Sequence, residues 1–383
     1  MSKSNTPNFD SINLIAPLFL ILYLCIGFIP NWQAVDKIAP QWLVMSGLNL
    51  LSIFYFFTNR KSLANSLTLN LKATISLTYA AFILWAIGSV TYAINSTEVL
   101  VNLSRQLNVF LMFFSMGIFF FSLNKKLRFI PWVITLILGV EIYAVFMDAL
   151  EMLNSTGQII PNSMKGVAAN RNITAFSIAI KIPFVLFLIY IEKKVLLRII
   201  LSALIFLSTL GLSMIQSRAA FVAIGFILIA YLALQLFLYF NNNRKFSQVL
   251  NFGYLLIPLL MAIFVNQFYF SQKGADALSR AATISVNTSD GSINQRLRYY
   301  EDVLTHMSSN PIVGVGLGNW KLKSIDYDSK DITGYVVPYH AHSDFIQLGA
   351  ELGILGFLLY LGIFLWAIYY VYILIRYSDL DVD

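Results

Sequence analysis

The chain is poor in charge, in cysteine and in histidine. Of its 383 residues, 12% are Asp, Glu, Lys or Arg, about half the share of an ordinary soluble domain. That deficit excludes a disordered protein and a cytosolic nucleic-acid binder, since both depend on dense charge. The formal balance of +7 and the pI near 9.3 need no nucleic acid to explain them, because basic loops accompany membrane spans. The one cysteine, Cys25, lies inside an apolar run. An intramolecular disulfide and a thiol-ligated metal site are therefore both excluded. Three histidines leave little from which to build a metal centre. No low-complexity tract and no internal repeat is visible.

What the chain has instead is apolar length. Hydrophobic residues make up 58% of it and its mean hydropathy is +0.72, which makes lipid its main solvent. A span needs about 20 apolar residues to cross roughly 30 Å of hydrocarbon. Stretches of that kind occur at 12–30, 38–57, 73–94, 100–123, 129–153, 173–191, 196–215, 219–240, 247–268 and 345–375. The expected fold class is an all-α polytopic membrane protein with about ten transmembrane helices and one large outer loop containing short helices. The first stretch is not a cleavable signal: its flank is not strongly basic and no small-residue cleavage site follows. Lys and Arg gather in alternate connections, at 59–61 with Lys72, 124–128, 192–198 and 241–245, and again at Arg376. Those connections and the N-terminus are expected on the cytoplasmic side. Residues 1–268 then form a bundle of about nine spans and 269–344 an outward-facing loop. Residues 345–383 form the last span and a short cytoplasmic tail. The tail, SDLDVD, stops straight after a span, so the chain either ends there naturally or is shortened.

Charges within spans are costly, and each is a functional candidate. Glu141 and Lys181 fall mid-span in the fifth and sixth stretches and are expected to pair with each other, while Asp148 and Glu151 should be solvated at the outer end. The outer face holds a denser polar set. Asn170, Arg171 and Asn172 stand where the sixth span begins, and Arg218 stands at the outer mouth of the eighth. In the long loop, 290–311 reads as a helix with a Ser292–Gln295 capping box and a closing Pro311. Leu297, Tyr300, Leu304 and Met307 form its expected buried stripe. Arg296 and Arg298 lie about 200° apart on that helix, so at most one can face a ligand. The glycines of 314–320 (GVGLGNW) lack the strand and helix a nucleotide loop needs and read as a tight structural turn. His340, His342 and Asp344 follow where the chain re-enters the membrane. A metal there would need carboxylates alone to complete its shell, so no metal or other cofactor is expected. A neutral histidine suits removal of a proton from a hydroxyl, and arginines suit phosphate oxygens. A base and arginines at the outer surface fit a lipid-bound diphosphate leaving group.

Four passages carry a family resemblance. QSRAAF (216–221) resembles an S-R-[GA]-[AG] span start. SINQRLRYYEDVL (292–304) resembles S-x-x-x-R-x-x-x-[WY], which selects Arg296. NPIVGVGLGNW (310–320) resembles P-[LI]-x-G-x-G-x-G-N, and HAHSDFIQLGAELGILG (340–356) resembles H-x-H-N-x-x-L-Q-x-x-x-E-x-G-x-x-G. With an N-x-N stretch in 165–176, these are similar to the bacterial O-antigen ligase/polymerase superfamily, membrane glycosyltransferases that use undecaprenyl-diphosphate-linked glycans. The resemblance runs from about 165 to 356. It implies an inner-membrane enzyme with a periplasmic site: His342 as base with His340, Arg218 and Arg296 as diphosphate binders, and Asn172, Asn170 and Arg171 in support. It further implies an undecaprenyl diphosphate donor and an acceptor hydroxyl on lipid A-core, a growing glycan or a protein, with no nucleic acid involved. Two features depart from the family pattern. Ser343 replaces the usual Asn, and one span follows the histidines where family members commonly have more, which makes truncation an expectation. A transporter of lipid-linked glycans is the rival from another class; it would spread charge along a midplane cavity.

Overall fold

The computed structural model describes residues 9–30, 32–36, 38–123, 128–168, 170–241, 251–284, 291–328 and 340–377. Its helices run in the order α1 (Phe9–Leu24), α2 (Ala39–Thr58), α3 (Ala64–Lys72), α4 (Thr74–Gly88), α5 (Ser96–Ser122), α6 (Phe129–Thr156) and α7 (Arg171–Ile191). They continue through α8 (Val195–Ile215), α9 (Arg218–Asn241), α10 (Gly253–Val265), α11 (Ala277–Ala282), α12 (Gly291–Ser309), α13 (Trp320–Asp328) and α14 (Asp344–Tyr377). Helix accounts for 83% of the structure and no strand occurs among the described residues. The all-α polytopic class follows directly.

Nine helices among the described residues are long and apolar enough to cross a membrane. They match the expected stretches except the first. There α1 is described over Phe9–Leu24, 16 residues or about 24 Å at 1.5 Å per residue, and the chain turns into a 3₁₀ segment at Ile26–Phe28. The protein itself covers little of these helices: only 11% of the most apolar window of Arg218–Phe240 is buried, as suits a lipid-facing helix. The expected basic loops at 124–128 and 241–245 lie largely outside the described residues, as does the tail 378–383.

The chain divides into two compact units, 126–285 and a second made of 1–125 with 286–383. In the 126–285 unit, α6, α7 and α8 pack together and α10 lies along α8. Their core is aliphatic, with Leu138, Ile178, Val185, Leu188, Ile205 and Leu212 almost wholly buried. Glu141 and Lys181 meet inside it. Lys181 Nζ lies 2.9 and 3.0 Å from the two carboxylate oxygens, and the Ser177 hydroxyl donates to Oε1 at 2.7 Å. The expected ion pair is present. Asp148, partly exposed, also has a structural role: its Oδ2 accepts the N–H groups of Lys165 and Gly166 at 3.0 and 2.8 Å, tying down the loop before α7.

In the other unit, α4 packs along α14 and α12 packs across α14. The architecture turns on a break in α14. Gly353 has φ 68° and ψ −173°, a region open essentially to glycine alone. The break takes away the partners of the preceding carbonyls, and each finds a replacement. Ala350 O accepts Val315 N–H at 3.0 Å, Glu351 O accepts Gly316 N–H at 2.9 Å, and Leu352 O accepts the Trp85 indole N–H at 2.8 Å. Beyond the break, Ile354 N–H donates to Pro311 O at 2.9 Å. The glycine-rich turn at 314–320 is thus structural, as its sequence suggests, and it is docked backbone to backbone on the kinked helix. Asn319 locks it from the other side, accepting Asn95 N–H at 2.7 Å and returning a bond to Asn95 O at 3.2 Å.

Helix α12 forms where the 290–311 pattern predicts it, but a different face is buried. Tyr299, Val303 and His306 are buried, while Leu297 and Leu304 are about half exposed. The aliphatic spacing misled because His306 and Tyr299 are the residues that pack inward, His306 bonding the Tyr327 hydroxyl at 3.1 Å beside Trp320. The side chain of Ser292 lies outside the described residues; Gln295 reaches forward to the Tyr299 hydroxyl at 2.7 Å.

A Cβ on Gly314 would sit 2.2 Å from Ala350 O and 2.4 Å from the Glu351 carbonyl carbon. Gly314→Ala is therefore expected to lose roughly 1–3 kcal/mol by overpacking, read as a lower unfolding temperature of the purified protein in detergent. Gly225→Ala is the control: its Cβ would meet open space, and stability should hold or rise by about 0.5 kcal/mol.

Candidate functional site

The segment leading into α14 carries two of the three histidines. His340 and His342 are exposed and Ala341 between them is fully buried. The pair does not lie on an extended strand-like stretch, because His342 adopts φ 57°. A non-glycine residue in the left-handed region is uncommon and is held there by its surroundings. Those surroundings are specific. The His342 ring lies nearly parallel to that of Tyr299, 17° apart in plane and 5.9 Å between centroids, and its carbonyl is 3.5 Å from the Tyr300 hydroxyl. Ala341 N–H donates to Gln347 Oε1 at 3.2 Å, and Gln347 N–H caps back to Ser343 O at 2.9 Å.

Arg296 is exposed on α12, whereas Arg298 is half-buried with its guanidinium over the Tyr299 ring at 5.8 Å. Of the two, Arg296 is the one with open access to solvent. Partial burial, then the Arg296 guanidinium and then His340 hold the His342 imidazole below its usual range. A cation beside a base favours the neutral form, so His342 is unprotonated and able to accept a proton at neutral pH.

The other predicted residues belong to the 126–285 unit. Asn170 caps α7, its Oδ1 accepting the N–H groups of Asn172 and Ile173 at 2.9 and 3.4 Å. This is the ordinary chemistry of an Asn at a helix start, so its role here is structural. Asn172 Oδ1 accepts the Ser217 hydroxyl at 3.3 Å, which links the N-termini of α7 and α9. Between α8 and α9 the chain reverses at Gln216, in the left-handed conformation at φ 55°. That turn delivers Arg218, whose Nε donates to Thr283 Oγ1 at 3.1 Å. A cavity of about 320 Å³ opens beside it, lined by Ile160, Pro161, Asn162, Arg171, Gln216 and Arg280. Arg280 Nε donates to the Gln216 carbonyl at 3.4 Å. Two guanidinium groups on one cavity make it an anion-attracting surface.

The predicted set thus falls into two groups: Arg296, His340 and His342 in one unit; Asn170, Arg171, Asn172 and Arg218 in the other. Sequence reasoning gave no role to Tyr299, Gln347, Glu351 or Arg280, although Gln347 and Glu351 stand at the Q and E of the quoted pattern. The Gln347–Glu351 spacing of four, which puts both on one helix face, was the available signal for that pair. Nothing local marks Arg280.

Residues 203–361 match the family model described as O-antigen ligase. The match contains four of the five resembling passages and supports the O-antigen ligase/polymerase superfamily, a glycosyltransferase-type family. No curated protein matches the chain.

Removing the cation beside His342 should return its proton affinity. With Arg296→Gln, the His342 titration midpoint followed by histidine NMR is expected to rise. An unchanged midpoint would show that Arg296 does not act on the ring.

Proposed function

We propose that this chain, similar over residues 203–361 to the O-antigen ligase family, transfers a glycan from an undecaprenyl diphosphate carrier to an acceptor hydroxyl at the periplasmic face of the inner membrane. Ligation to lipid A-core is the leading form. The observation that carries this reading is His342: an exposed imidazole in a strained backbone conformation, kept neutral beside the cationic Arg296. A base and a cation near enough to act on it electrostatically suit a hydroxyl attack on a diphosphate-activated sugar.

The chemistry is a single displacement. His342 takes the proton of the acceptor hydroxyl as its oxygen bonds to the anomeric carbon. The bond from that carbon to the diphosphate oxygen breaks, with its electron pair leaving on the diphosphate. The configuration at the anomeric carbon inverts. Arg296 and Arg218 neutralise the departing charge with forked N–H donors; His340, Arg171 and Asn172 support the two groups, and Asn170 contributes by capping α7. Each step needs only these side chains, without a metal ion or nucleotide.

Polymerisation of the glycan, or its transfer to a protein hydroxyl, would use the same groups with a different acceptor pocket. A transporter has less support, since Glu141 and Lys181, the charges that could have marked a path, satisfy each other and Ser177.

Loss of a general base costs about 10²–10⁴ in rate. His342→Ala is therefore expected to reduce transfer to that extent while the protein stays inserted and stable; full activity would sink the base. Arg218→Lys and Arg296→Lys should each lose most turnover, because an ammonium cannot make the forked contact. Turnover and donor affinity at wild-type levels would reduce either arginine to a membrane anchor. The acceptor is read from surface glycolipids of a deletion strain complemented with wild type or His342→Ala. Bare core with accumulating carrier-linked polymer means ligase, and core with a single repeat means polymerase. An unchanged ladder directs the search to periplasmic glycoproteins.

A further inference from the structure

Behind the histidine segment runs a buried polar chain that the proposed chemistry does not use directly. Glu351 is 2% exposed. Its Oε2 accepts Gly318 N–H at 2.7 Å and its Oε1 accepts Gln347 Nε2 at 2.9 Å. Gln347 Oε1 in turn accepts the N–H of Ala341, the buried residue between His340 and His342. The amide orientation of Gln347 follows from its neighbours: a backbone N–H on one side requires the oxygen there, and a carboxylate oxygen on the other requires the nitrogen. Every link therefore has one permitted direction. A carboxylate in apolar surroundings is costly unless its oxygens are used. Here both are used, one by Gly318 N–H of the turn and one by Gln347, which in turn holds the histidine segment.

We propose that Glu351 and Gln347 are positioning residues. They transmit the rigidity of the turn docked on the α14 break to the Ala341 backbone, and so hold His342 in its left-handed conformation with the imidazole against Tyr299 and beside Arg296. Neither touches substrate. The inference rests on His342 being the base, but the backbone linkage it describes is measurable without transfer activity.

The donor–acceptor pattern makes a discriminating test. In Glu351→Gln one carboxylate oxygen becomes an NH₂ group. Either Gly318 N–H or Gln347 then faces a donor, or Gln347 turns over and Ala341 N–H does. One link fails in any arrangement. In the double variant Gln347→Glu/Glu351→Gln the pattern is restored in full. The new carboxylate at 347 accepts from Ala341 N–H and from the new amide at 351, and that amide's oxygen accepts from Gly318 N–H. Gln347→Leu removes both bonds of Gln347 and leaves Glu351 Oε2 with Gly318 N–H, which keeps the test open if Glu351→Gln folds poorly.

The experiment uses the full-length protein in detergent micelles. It measures the rate of diethylpyrocarbonate acylation at His342, resolved by mass spectrometry, together with kcat and donor KM for glycan transfer. Expected results are an altered His342 acylation rate in Glu351→Gln and in Gln347→Leu, and a kcat lower by about 10–10² with donor KM little changed, the size of effect produced by slight misplacement of a reacting group. The double variant should return both readouts to within about threefold of wild type. Wild-type acylation and kcat in both single variants would overturn the proposal. So would a stably folded double variant no better than Glu351→Gln. His342→Ala at full activity would remove the base assignment instead, leaving the acylation rates to decide whether the linkage exists.

Discussion

A helix that breaks among apolar surroundings leaves carbonyl oxygens without partners, and each one left buried and unpaired costs about 1–3 kcal/mol. The break at Gly353 creates that debt at Ala350, Glu351 and Leu352, and the unit containing α14 is arranged around settling it. Two of the three carbonyls are taken by the glycine-rich turn and one by the indole of Trp85. The same contacts bring the turn against the start of α5 through Asn319. They also place a buried carboxylate, Glu351, where it can hold the segment bearing His342. Remove the break and the turn has nothing to dock on, and the histidine segment loses its anchor.

The two buried carboxylates that the structure resolves in spanning helices are satisfied by different means. Glu141 is neutralised by Lys181 and bonded by Ser177, all three on neighbouring helices of one core. Removing either partner would strand the other as a buried charge. Glu351 bonds to the neutral donors Gly318 N–H and Gln347 Nε2. Neutral donors fix geometry without cancelling charge, which suits a group that organises a neighbouring backbone. The chemistry proposed at His342 likewise depends on geometry more than on unusual reactivity: an ordinary imidazole, kept neutral by partial burial and a nearby cation, in a conformation that its own sequence does not favour.

Much of this was legible in one dimension. Nine of the ten expected spans exist because about 20 apolar residues in water-poor surroundings have no alternative to a helix. The first stretch, 12–30, is described as the helix Phe9–Leu24 followed by a 3₁₀ turn, and its start borders residues outside the described ones. The motifs singled out Arg218, Arg296, His340 and His342 as candidates from their order along the chain. The buried face of α12 was misread, because periodicity weighs Leu above His and Tyr, and the packing chose Tyr299, Val303 and His306.

The sequence by itself therefore determined the class, the spans and the candidate residue types, since these depend on local composition and on spacing along the chain. The tertiary structure decided the rest: that the glycine-rich turn serves a broken helix, that Glu351 and Gln347 reach the backbone at Ala341, and that Arg280 shares a cavity with Arg171. Those relations join residues that are distant in the chain or aimed in directions a spacing cannot specify. Hydrogen bonds and cavities form only where the fold brings such groups within about 3 Å of one another.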